Sequence, residues 1–238
     1  MIIQNSEEIV LAIPDTQLPF HHRDSIEFLT EVKKKFKPTR VVHLGDFFDC
    51  HALSRYVRNP NGMSASEELH AAQQTAKEYY KLFPKADLVH SNHDIRVYKR
   101  AEEVGISAGY LKDYHEWMQF PPGWKIHQDI TIDNVLYTHG EGYSGSGAQE
   151  KIAHDKGMSV VFGHLHSHAG IKYVSTKDKL LFGFNAGCLI DRHAYAFEYG
   201  AHSRYKPILG AALIVRGIPI FIPMLLCKNR RWVGELCG

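Results

Sequence analysis

Short apolar runs alternate with amphipathic stretches along most of this chain, and the runs stop at turn residues. Ile9 to Ile13 reads as a strand that ends at Pro14-Asp15. From about Asp24, the positions Ile26, Leu29, Val32 and Phe36 recur at helical spacing, with Lys33-Lys34-Lys35 solvated on the far side and Pro38 as the stop. Val41 to Leu44 is a second strand of mostly β-branched residues, broken by Gly45. Strand, helix, strand is a βαβ unit and predicts a parallel pair. Residues Cys50 to Tyr56 predict a short helix and Asn59 to Gly62 a turn. Ser64, with Glu67 three residues later, is a capping box opening a helix through Phe83. Ala86 to His90 is a third strand, and residues 95–120 read as helical with a break at Ser107-Ala108-Gly109.

Beyond Pro121-Pro122-Gly123 the texture changes. Trp124 to His127 and Ile130 to Thr138 alternate around Asp133-Asn134, which predicts an antiparallel hairpin. A helix (Ala148 to Lys156) and a strand (Ser159 to Phe162) follow. The strands Ile171 to Val174, Leu180 to Asn185, Ile208 to Val215 and Ile218 to Ile222 complete the pattern. The apolar tract from Ile208 to Cys227 carries Arg216-Gly217, Pro219 and Pro223, so it reads as two core strands and a tight turn, not a membrane span. The pattern predicts an α/β protein, two packed sheets flanked by helices, in one domain over residues 1–238.

Composition narrows the class. A chain of 238 residues with 44% hydrophobic and 23% charged residues suits a globular fold. A net charge of +2 argues against wrapping extended nucleic acid. Cys50, Cys188, Cys227 and Cys237 lack C-x-x-C spacing, and the start of the chain lacks a signal-peptide pattern. Free thiols in the cytoplasm are therefore expected, with no membrane partner; oligomeric state is open.

The unusual count is 16 histidines, several of them beside Gly, Asp or Asn at strand ends. Lined up, those ends read Asp15-x-Gln17, Gly45-Asp46-x-x-Asp49, Asn92-His93-Asp94, His139-Gly140 and Gly163-His164-x-His166. Carboxylate, amide oxygen and neutral imidazole together suit a divalent cation pair. Two ions about 3.5–4 Å apart need a carboxylate facing both, the role expected of Asp46. Taken singly, Asp15 is good turn chemistry, and Asp49 is as good an N-cap for the segment at His51 as a catalytic group.

These ordered blocks resemble the calcineurin-like metallophosphoesterase superfamily, whose pattern is D-x-H, G-D-x-x-D, G-N-H-D/E, H and G-H-x-H. The match covers residues 15 to 166 and implies a β-sandwich with helices on its outer faces. The resemblance implies that Asp15, Asp46 and His166 hold one metal and that Asp46, Asn92, His139 and His164 hold the other. Gln17 stands where the family usually has histidine. Its oxygen is a harder, weaker ligand, favouring Mn²⁺ or Mg²⁺ over Zn²⁺, with Fe, Co and Ni open. Ser91 replaces the usual glycine, a change expected to matter little. His93 is placed to protonate a leaving alkoxide, with Asp94 orienting it and Arg96 and Arg55 as candidates for holding phosphate. His51 and His168 are expected to stay second to the ligands, and Tyr195, Phe197, Tyr199 and Tyr205 to pack a loop or stack a base.

The absence of G-D-x-V-D-R-G argues against a phosphoprotein substrate. D-T-Q-x-P-F and G-H-L-H-S-H-A-G resemble compact phage and prophage members of the superfamily, among which are deoxynucleoside-5′-monophosphatases. The expected function is therefore a phosphomonoesterase acting on nucleotides, with small nucleotides as partners. A DNA or cyclic-nucleotide phosphodiesterase is the enzymatic alternative. A non-catalytic scaffold of the same fold is the other.

Overall fold

The computed structural model describes residues 7–55, 59–194, 196 and 205–236. The stretch Met1 to Ser6, Tyr56, Tyr195, Phe197, Tyr199 and Cys237 lie outside them. In chain order the first half comprises β1 (Ile9–Ile13), α1 (Ser25–Phe36), β2 (Arg40–His43), α2 (Ala65–Leu82), β3 (Ala86–Val89), α3 (Arg96–Glu103) and α4 (Tyr114–Trp117). The second comprises β4 (Trp124–His127), β5 (Ile130–Ile132), β6 (Val135–Thr138), α5 (Ala148–Lys156), β7 (Ser159–Phe162), β8 (Gly170–Ser175), β9 (Leu180–Asn185), β10 (Gly210–Val215) and β11 (Ile218–Pro223).

The strands form two mixed sheets, ordered β11-β10-β1-β2-β3-β4 and β5-β6-β7-β9-β8. Alternation along each strand builds the layers. Val10, Ala12, Val42 and Leu44 point inward to meet Tyr137, Val161 and Phe184 of the opposite sheet. Leu11, Ile13 and Val41 point outward under Phe28, Leu29 and Val32 of α1 and Ala76 and Tyr79 of α2. On the other outer face, Val160 and Phe162 pack against Ala148 and Ile152 of α5. Period-two strands covered by helices on both outer faces are the expected α/β sandwich.

Two details differ from the sequence reading. Trp124–His127 does not join the hairpin; it pairs in parallel with β3. Asp133 and Asn134, both left-handed, close a turn that joins β5 to β6 alone. Trp124 is buried, and its indole N–H donates to the Phe83 carbonyl at 2.8 Å, which ties β4 to the end of α2. Alternation marks a strand but does not say which sheet takes it. The stretch 95–120 is also less helical than its pattern: α3 spans eight residues and α4 four, with the break where Ser107-Ala108-Gly109 places it.

The predicted capping box at Ser64 and Glu67 is complete in both arms. Cys50, Cys188 and Cys227 are free thiols. No helix among the described residues is long and apolar enough to cross a membrane.

Candidate metal centre

Strands β1, β2 and β3 run parallel in one sheet, and β6 and β7 run parallel in the other. Their carboxyl ends therefore emerge along one rim, where open α/β sheets bind ligands. Cross-sheet hydrogen bonds lock the two halves of that rim. The His139 ring donates from Nδ1 to the Leu44 carbonyl at 2.9 Å, and the His164 N–H reaches both Asp15 carboxylate oxygens at 3.0 Å.

Two glycines make this approach possible. A Cβ on Gly163 would sit 2.2 Å from Asp15 Oδ1, and one on Gly45 would sit 2.6 Å from the Ser91 Cβ. Gly45 also has φ +92, a region that L side chains avoid. Gln17, Asp46 and His164 are left-handed too, at φ 48, 48 and 66. Non-glycine residues there are strained by about 1–3 kcal/mol in unfavourable cases, and such residues gather at functional sites. For Asp46 the fold holds that conformation: its N–H donates to Ser91 Oγ at 2.7 Å, and its carbonyl accepts from the Gln17 N–H at 2.9 Å.

Two ligand clusters share Asp46. One ligand atom from each of Asp15, Asp46 and His166 lies within 4.8 Å of the others, and the same holds for Asp46, His139 and His164. Ligands about 2.1 Å from a common cation stand roughly 3.0–4.2 Å apart, so both groups are close to the required spacing. His166 Nε2 is 2.9 Å from Asp15 Oδ2. In the second cluster, His139 Nε2 is 2.9 Å from Asn92 Oδ1, 3.4 Å from Asp46 Oδ1 and 3.2 Å from His164 Nδ1. The His139 Nδ1 proton is committed to Leu44, so whenever the ring is neutral its Nε2 turns a lone pair toward Asn92 Oδ1 and Asp46 Oδ1, with His164 Nδ1 beside them. A gathering so short of donors is satisfied by a cation, and Nδ1–H bonded to a carbonyl is the usual support for a metal-binding histidine.

Gln17 is buried beside this group. Its Nε2 donates to Asp46 Oδ2 at 3.2 Å and lies 3.3 Å from His93 Nδ1, while its Oε1 is buried without a hydrogen-bond partner. A half-turn of the amide exchanges the two atoms and aims the oxygen at the cluster. The chain's donor set therefore fits a metal pair.

Electrostatics agree. Burial alone would raise Asp46, yet the His139 and His93 charges and the Ser91 hydroxyl hold it far below the usual carboxylate range. Burial would lower His139, but Asp46 and Asp15 outweigh it and raise its affinity for a proton. His164 is lowered by burial and by His139. Beneath the rim, burial pushes His43 down to about 3, so it is a neutral packing residue, 3.2 Å from Thr16 Oγ1.

His93 is oriented by Asp49, not by Asp94. Its Nδ1 lies 2.9 Å from Asp49 Oδ1, and Arg96 donates to the same Asp49 oxygen at 3.0 Å and to His93 Nε2 at 2.8 Å. Burial opposes the charged ring, but Asp46 and the Asp49 hydrogen bond raise its pKa overall. Asp94 lies below, accepting from Ser91 Oγ at 2.7 Å and the Phe48 N–H at 3.1 Å, and burial lifts it to about 6. Ser91 thus links Asp46 to Asp94, a task its glycine counterpart could not perform. Asp49 does not cap the turn at His51–Leu53; the N–H groups of His51 and Ala52 donate to Glu68 of α2, each at 2.6 Å. Arg55 pairs with Glu103 and is exposed, so it is not brought to the rim cluster. His51 and His168 join neither cluster; Tyr205 lies near the His168 ring.

A family model described as calcineurin-like phosphoesterase matches residues 9–217. Among solved structures, Vps29 of Chaetomium thermophilum is 10% identical, with TM-score 0.47 and coverage of 97% of this chain and 95% of that one. The E. coli phosphoesterase YfcE is 12% identical, with TM-score 0.43 and coverage of 94% and 96%. The nuclease MPE of Pseudomonas putida is 12% identical, with TM-score 0.37 and coverage of 89% and 85%. No curated protein gives a significant match.

Proposed function

The chain belongs to the calcineurin-like phosphoesterase family, and from that premise we propose that it hydrolyses phosphoesters with two divalent cations, its substrates being nucleotides such as (deoxy)nucleoside 5′-monophosphates. The observation that carries this reading is the pair of ligand clusters joined through Asp46. In it Asp15, Gln17, Asp46 and His166 hold one cation, and Asp46, Asn92, His139 and His164 the other. A bound pair would neutralise phosphoryl oxygens and acidify the attacking water.

The chain's own groups do the rest. When the P–O bond to the leaving group breaks, His93 gives its proton to the departing alkoxide. Asp49 holds the imidazole by its Nδ1 and stabilises its charged form. Arg96 points donors at His93 Nε2, so a proton on Nε2 displaces the guanidinium, which is then free to grip a phosphate oxygen. Asp94 and Ser91 keep Asp46 in its left-handed conformation.

The test is reconstitution with Mn²⁺ and assay of p-nitrophenyl phosphate, bis-p-nitrophenyl phosphate and a nucleotide panel. Monoester and nucleoside monophosphate turnover is expected. Preference for the diester would move the assignment to a phosphodiesterase, and turnover of none under several metals would leave a scaffold. His93→Ala should lower turnover by about 10²–10⁴-fold with metal content retained; equal loss of metal would make His93 a ligand.

A further inference from the structure

A groove of about 670 Å³ opens beside the metal centre on the same rim. β9 ends at that rim because it parallels β7, whereas β10 begins and β11 ends there because β10 runs antiparallel to β1. Residues 190–193 after β9, 207–209 before β10 and 223–230 at and after the end of β11 form the walls. Main-chain bonds join these walls to two ligand candidates: the Leu189 N–H donates to the Asp15 carbonyl and the Ile208 N–H to the His166 carbonyl, each at 2.8 Å.

The lining is strongly cationic. Arg23, Arg192, Lys228 and Arg230 face it with His193, against Asp191 as the acid among the described lining residues. No ion pair among the described residues engages any of those four cations, and nearby Asp24 is committed to Arg231 and the Trp232 N–H. Arg192 Nε donates to His193 Nε2 at 3.2 Å, and burial with the Arg230 and Arg192 charges holds the His193 pKa down. The floor is apolar, with Ile190, Leu209 and Met224. Cations held together in a concavity repel one another, and a bound polyanion relieves that repulsion. Arginine forks match phosphate oxygens in particular.

We propose that this groove binds a phosphate group other than the one being cleaved, which extends the substrate class beyond monophosphates, whose single phosphate would leave the groove empty, to nucleotides or strands with further phosphates lying across the rim. The link to substrate choice rests on the phosphoesterase reading; binding in the groove does not.

The experiment measures anisotropy of a labelled single-stranded octanucleotide with the full-length chain in EDTA, where no hydrolysis occurs. Arg192→Ala combined with Arg230→Ala should weaken binding at least tenfold in low salt. It should also flatten the salt dependence by about 0.7 per lost cation. The double lysine variant should recover most of the affinity, which separates charge loss from misfolding. Unchanged binding in the alanine variant, or equal competition by hexaglutamate, would overturn the proposal. A nucleoside triphosphate that competes as well as unlabelled octanucleotide assigns the groove to polyphosphates, and a weak one assigns it to a strand. If the metal-loaded protein cleaves no ester while the variants still lose binding, the catalytic reading fails and the groove stands. If it turns esters over while the variants bind as the wild type does, catalysis stands and the groove fails.

Discussion

Gly163 sits against a carboxylate with no room for a methyl group. A Cβ there meets Asp15 Oδ1 at 2.2 Å, so Gly163→Ala must push Asp15 out of line with His166. Manganese stoichiometry measured by elemental analysis is expected to fall by about one ion per chain, with a lower unfolding midpoint. Unchanged stoichiometry would mean that Asp15 is not a ligand. Gln17→His replaces a weak oxygen donor by imidazole, and Zn²⁺ retention through dialysis should increase. At this scale the sequence is informative about which residues stand at strand ends and silent about what they face. Asp15, Asp46, His139, His164 and His166 are legible because a ligand-type side chain after an apolar run is conspicuous. The grip of Asp49 on His93, and of Ser91 on Asp46 and Asp94, is not. Each depends on which ring nitrogen or hydroxyl meets a residue more than forty positions away, or across a turn whose dihedrals the sequence does not display.

Among the elements, α2 does more than cover the sheet. Glu68, near its start, accepts the N–H groups of His51 and Ala52 and so clamps the turn that follows Asp49. Burial raises this carboxyl from 4.5 to about 7 despite those two bonds. The folded protein thus keeps a proton that the unfolded chain releases, and the associated stability, full below 4.5, disappears as pH rises through 7. Glu68→Gln removes that titration. Relative to the variant, the wild type should lose stability between about pH 5 and pH 8 in denaturant titrations; a constant difference would mean that Glu68 ionises normally. Most elements can be read from periodicity, α5 and β7 to their residue limits. β4 cannot, because its partner is β3, far earlier in the chain, and alternation does not say which strand it will pair with.

The whole molecule depends on contacts that span nearly all of the sequence. Asp24 receives Arg231 and the Trp232 N–H, fastening residues near the end to the start of α1. The hydrogen bonds from Arg231, more than its charge, hold the Asp24 carboxyl below the usual carboxylate range, with the Trp232 N–H adding to them against burial. Its contribution is present above pH 3.8 and is lost as acid titrates the folded state. A net charge of +2 gives no hint of the cationic groove, since four cations from three distant segments meet only after folding.

β1 lies between β2 and β10. Every proposed metal ligand has been synthesised by residue 166, but the strand that carries Asp15 keeps a bare edge until residues 210–215 arrive. A chain cut after Lys206 should therefore contain all the ligands, bind no manganese and associate through that open edge. During translation the protein must wait, ligand-complete and unfinished, for almost its last sheet partner, and nascent chains stalled in that interval are the ones for which chaperones would have most to do.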